Sequence, residues 1–214
     1  MKSRTQIETS APVVTTHCSC GIRENILPVA ILLLLVTTAS AHTEKGAAGG
    51  FISGFLHPIT GLDHIVAMVA VGLWGAFLGK KAMWALPVIF PMVMALGGAL
   101  GILGVPLPYV EIGIALSGVV LGLMVAFAVR PPLWVAGVLV GIFAIFHGHA
   151  HGTELPNAAS PLTFAIGFVI STGLLHLAGI AFGLLTKWPW GMAVVRAGGA
   201  LIALTGFLFL FKIL

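Results

Sequence analysis

Six apolar stretches, each close to the length of a bilayer crossing, dominate this chain: about 51–78, 82–104, 109–128, 133–150, 161–185 and 191–213. A helix of roughly 20 residues crosses the ~30 Å hydrocarbon core of a membrane. Of 214 residues, 59% are hydrophobic and only 7% charged, too few polar groups to keep a soluble domain in water. The expected fold class is therefore all-α: a polytopic membrane protein in which residues 42–214 form a single domain of six transmembrane helices. The breaks between stretches carry turn chemistry, at Gly79-Lys80-Lys81, Pro106-Leu107-Pro108, Arg130-Pro131-Pro132, Pro156 to Pro161 and Lys187-Trp188-Pro189. Gly50/Gly54, Gly118/Gly122, Gly137/Gly141 and Gly179/Gly183 are small-residue pairs that suit close packing of helices within the chain.

Residues 1–41 are expected to be a cleavable signal peptide. Lys2, Arg4 and Arg23 make a basic leader, Ile26 to Thr38 a short apolar run, and Ala39-Ser40-Ala41 a small-x-small cleavage site after Ala41. Cys18 and Cys20 would leave with it, so the mature chain has no cysteine and neither a disulfide nor a thiolate ligand. Cleavage also places the mature N-terminus outside the cytoplasm. Lys80, Lys81, Arg130, Lys187 and Arg196 then fall on the inside and only Lys45 and Lys212 on the outside, in agreement with the positive-inside rule. These scattered charges account for the net charge of +4 as topology markers, and a nucleic-acid partner is not expected.

With that orientation, almost every other ionisable residue collects at the outer side. His57, Asp63 and His64 belong to HPITGLDH (57–64); His147, His149, His151 and Glu154 belong to FHGHAHGTE (146–154). Ionisable side chains in a membrane are costly and mark functional sites. Imidazole and carboxylate together suit a divalent transition metal such as nickel, cobalt or zinc. In a continuous helix His57 and His64 would lie two turns, about 10.5 Å, apart along the axis, so a kink or a partner helix is needed for both to reach one ion. Pro58 disfavours helical geometry at His57 and suggests the kink there, with 51–56 as a separate short piece. Asp63 serves either as a direct ligand or to orient a histidine. His147 and His151, four residues apart, share a helical face and form a bidentate pair; Glu154 follows unless Gly152 ends the helix first. His149 points away from that face.

Weaker candidates complete the set. His42, at the new N-terminus, offers an amine and an imidazole, against which stands a chance histidine. Glu111 is either a ligand or a charge favoured by the helix dipole. His176, deep in the fifth stretch, is either a transfer ligand or a packed neutral histidine. Phe90-Pro91, with Pro87, is expected to bend the second helix and open the irregular backbone that permeation requires.

HPITGLDHIVAMVAVG (57–72) and FHGHAHGTE, at the ends of their helices, resemble the motifs of the HupE/UreJ family of bacterial membrane proteins, associated with nickel uptake for hydrogenase and urease. The resemblance covers essentially the whole mature chain and implies a nickel or cobalt permease of the inner membrane. Its motif positions fall on His57, Asp63, His64, His147, His151 and Glu154. The chain has no ATP-binding P-loop, so a secondary transporter fits better than a pump, and no enzymatic activity is expected. The expected partners are a divalent ion (Ni2+ foremost, then Co2+ or Zn2+), the bilayer and a cytoplasmic metallochaperone; no organic cofactor is implied. Two other readings use the same ligands: a metal-sensing or accessory membrane subunit without flux, and an intramembrane zinc hydrolase with Glu154 or Asp63 as base.

Overall fold

The computed structural model of the protein describes residues 47–154 and 160–213. The signal-peptide and cleavage expectations, and His42, lie outside them. The described residues form seven α-helices and one 3-10 turn, with no strand: α1 (Ala47–Thr60), α2 (Leu62–Leu78), α3 (Lys80–Ile102), α4 (Val110–Ala126), α5 (Leu133–Glu154), α6 (Pro161–Gly183), the 3-10 turn Leu184–Lys187, and α7 (Gly191–Leu210).

The first apolar stretch is not one straight helix. It breaks at Gly61, whose extended backbone (ψ 114°) separates α1 from α2, and the two pieces are bent by 78°. The proline is not the break point: Pro58 lies inside α1, and the chain turns three residues later. A side chain at position 61 would collide with the side chains of Asp63 and His64, which fold back over the glycine. α3, by contrast, runs unbroken through Pro87 and Pro91.

Four helical segments are long and apolar enough to cross a membrane: Lys80–Ile102, Leu133–Thr153, Pro161–Lys187 and Gly191–Leu210. The bent α1–α2 pair counts as a fifth when taken as one span. The remaining helix, α4, has 17 residues, about 25 Å of rise, slightly less than the ~30 Å core. The protein is thus a multi-pass helical membrane protein.

These helices are apolar on both faces, as a lipid-facing bundle must be. On α3, Trp84, Val88, Met92 and Leu96 form an exposed stripe at four-residue spacing, while Leu86, Phe90 and Met94 form a buried one. α2 is the central element, packed against α3, α4, α6 and α7, and its Met68, Val71, Leu73 and Trp74 are fully buried.

Glycine seams set the helix pairs. A Cβ at Gly54 or Gly167 would strike backbone across the α1–α6 contact, at Gly72 or Gly179 across α2–α6, and at Gly122 or Gly206 across α4–α7. The α3–α5 seam uses Gly97 and Gly101 on one side and Gly148 and Gly152 on the other. Without a hydrophobic drive between helices in lipid, such close approach supplies the packing energy.

The two ends of the bundle differ. At one end lie Lys80 and Lys81, opening α3; Arg130, stacked 4.6 Å over the Phe77 ring; Lys187; and Arg196, which donates to the Ala126 carbonyl at 2.7 Å. Trp74 ties α2 to the same end by donating to the Val129 carbonyl at 3.2 Å. His57, His64 and His151 lie at the opposite end of their helices.

Candidate metal site

The alternation of His and Gly in FHGHAHGTE has a direct structural reading. Gly148 and Gly152 are one turn apart and seat α5 on the backbone of Met94 and Gly98 in α3. The residues before each glycine, His147 and His151, are thereby held buried in the bundle. The helix continues through Gly152 to Glu154, which stands three residues beyond His151.

The bend at Gly61 brings His57, on α1, beside His64, on α2, with ring centroids 5.6 Å apart. His151 of α5 closes the group, 4.9 Å from the His57 ring and 4.7 Å from that of His64. One ring nitrogen from each of these three residues lies within 4.8 Å of the other two, a spacing able to hold a metal ion. Phe168 of α6 packs against the His151 ring at 4.5 Å and walls the group from the side. His64 and His151 are buried, and His57 is partly so.

Asp63 stands beside the group. Its Oδ1 lies 2.9 Å from His64 Nδ1, an ion-pair distance at which a carboxylate favours the Nδ1–H tautomer and leaves the Nε2 lone pair toward the group. His64 Nε2 and His151 Nε2 are 2.7 Å apart, a hydrogen-bond distance at which the two imidazoles share one proton. An ion bound between them must displace that proton.

His147 lies outside this trio. Its ring is 5.3 Å from that of His64, but its Nε2 is 3.0 Å from Ser117 Oγ on α4. Ser117 donates its own proton to the Ile114 carbonyl at 2.6 Å, so it accepts from His147 Nε2–H. The lone pair of His147 is therefore on Nδ1, which is buried and has no hydrogen-bond partner among the described residues. Ser117, fully buried, was not evident from the sequence: a serine in an apolar helix carries no local signal of what it faces.

The other candidates separate. His149 donates from Nε2 to the Val105 carbonyl at 2.7 Å and ties α5 to the α3–α4 connection, away from the trio. Glu111 is exposed and 4.0 Å from Lys212 Nζ, a surface pairing worth little. Phe90 is fully buried between two histidines, 5.6 Å from the His147 ring and 5.7 Å from His176. His176 is buried in α6, and its Nε2 has no hydrogen-bond partner among the described residues. A series of rings thus leads inward from the trio through His147 and Phe90 to His176.

The model of the HupE / UreJ protein family matches residues 30–209. The chain belongs to the HupE/UreJ family. It is similar to Protein HupE of Rhizobium leguminosarum bv. viciae, with 47% identity over 176 residues, covering 82% of this chain and 92% of that protein. No solved structure matches the chain. The match runs across both histidine motifs and all seven helices, apart from the last residue of α7.

Proposed function

We propose that this chain is a secondary permease for a divalent transition metal, with Ni2+ the foremost substrate and Co2+ next. The observation that carries the reading is the convergence of His57, His64 and His151 from α1, α2 and α5, at one end of an apolar bundle. Three neutral imidazoles with a carboxylate alongside suit a divalent ion of this class, and a cysteine-free set binds it weakly enough to release it. The association of the family with nickel and cobalt handling for hydrogenase or urease supports the same substrate. In this reading His57, Asp63, His64, His151 and Glu154 capture the ion, and His147, Phe90 and His176 line its way inward.

The reading also fixes an arrangement in the membrane. The α1–α2 pair and α4 complete six crossings, residues 1–41 are removed as a signal peptide, and the histidine end faces outward from the bacterial inner membrane. The cationic end then meets the cytoplasm, where a metallochaperone can collect the ion.

The test is uptake of radiolabelled Ni2+ into proteoliposomes containing the mature protein, with Co2+ and Zn2+ as competitors. Saturable uptake that disappears in His64→Ala, with membrane insertion intact, is the expected result. Binding of Ni2+ without flux would instead identify an accessory or sensing subunit. Wild-type flux in His64→Ala would remove the trio from the mechanism.

A further inference from the structure

A hydroxyl on a helix always has a partner within reach, the carbonyl three or four residues earlier. Thr60, Ser117, Thr153, Thr163, Thr186 and Thr205 all use it. Thr172, fully buried in the middle of α6, does not: its Oγ1 has no hydrogen-bond partner among the described residues. Leaving a buried hydroxyl unpaired costs free energy, and here a local remedy is passed over.

Its place in the helix gives the reason. Phe168, Thr172 and His176 follow at four-residue spacing and form one stripe along α6, each step about 6 Å. The outer end of the stripe is anchored at the trio, because the Phe168 ring meets His151 at 4.5 Å and His57 at 6.1 Å. The inner end is anchored at Phe90, 5.7 Å from the His176 ring. Thr172 stands midway. From α5, His147 brings a third unpaired buried atom, Nδ1, with its ring 5.6 Å from the same Phe90. Ser171, also unpaired, is turned about 100° round the helix and is not on this stripe.

We propose that Thr172 Oγ1, His176 Nε2 and His147 Nδ1 form a second, inner cation station beside Phe90, which receives a partly hydrated divalent transition metal after it leaves the His57–His64–His151 group. The inference rests on the permease reading for its role in flux, although binding at the station does not. The set has no carboxylate, so it holds the ion more loosely than the outer group, as an onward step requires. The threonine hydroxyl replaces one water of the ion's hydration shell or holds that water in place.

The experiment compares radiolabelled Ni2+ uptake by proteoliposomes of wild type, Thr172→Val and Thr172→Ser across Ni2+ concentrations. Valine keeps the shape of the side chain and removes the hydroxyl. The maximal rate is expected to fall about tenfold or more in Thr172→Val, with the half-saturating concentration unchanged because outer capture is intact, and to recover in Thr172→Ser. Wild-type flux in Thr172→Val, failure of serine to restore it, or a loss confined to half-saturation would each overturn the proposal. Equilibrium dialysis of purified protein against radiolabelled Ni2+ covers a wild type that shows no flux. A second bound ion per chain that is missing from Thr172→Val then sustains the station while the permease reading falls. Equal stoichiometry in the two proteins, in a chain without flux, overturns the station as well.

Discussion

Asp63 and Ser117 do the same job on different imidazoles. Asp63 stands at ion-pair distance from His64 Nδ1, and Ser117 accepts a hydrogen bond from His147 Nε2–H; each favours a lone pair on the opposite nitrogen. Partners of this kind typically account for 10–100-fold in metal affinity. Asp63→Asn is therefore expected to weaken Ni2+ binding by about that factor without unfolding the protein, measurable by calorimetric titration in detergent; unchanged affinity would show that His64 needs no orienting partner. The proton shared by His64 and His151 has its own consequence. Imidazoles bind metal only when the lone pair is free, so protonation competes with the ion.

At the level of elements, the site depends on seams as much as on ligands. A side chain at Gly148 or Gly152 would run into the backbone of α3, so α5 would have to lift away and carry His147 and His151 with it. Gly148→Ala should cost about 1–3 kcal/mol and lower both the melting temperature in detergent and the rate of uptake. Gly173→Ala is the control, since its Cβ would meet nothing within 4 Å; a fall in melting temperature of equal size there would deny the seam its special role. The break at Gly61 belongs to the same scale. The pattern of HPITGLDH already required a kink or a partner helix if His57 and His64 were to serve one ion, and Pro58 marked the neighbourhood. The turn nevertheless falls at Gly61, where the backbone is extended and the side chains of Asp63 and His64 occupy the space a Cβ would need. Pro87 and Pro91 carried the same expectation for the second stretch, yet α3 continues through both.

Among the described residues of the whole molecule, Lys80, Lys81, Arg130, Lys187 and Arg196 lie at one end and the His57, His64 and His151 trio at the other, and the proposed orientation in the membrane rests on the first of these. Single cysteines at Lys81→Cys and Val105→Cys, in a background where Cys18 and Cys20 are serine, would report it. An impermeant thiol reagent applied from outside should label position 105 and spare position 81; the reverse pattern would overturn the proposed orientation.

Much of this was determined along the chain itself. Apolar runs of bilayer length specify helices wherever lipid leaves backbone groups no other partner, and the resemblance of the two motifs to the HupE/UreJ family named His57, Asp63, His64, His147, His151 and Glu154 as candidates. The tertiary structure decided which of them meet. Four-residue spacing pairs His147 with His151 on one face, but what lies opposite that face depends on how α1, α2 and α4 seat on their glycine seams. Hence His151 joins His57 and His64, while His147 is held by Ser117. Helix periodicity orders side chains around one axis and carries no information about the neighbouring axis. The roles of Ser117 and Thr172, whose hydroxyls look alike in the sequence, are set by that neighbour.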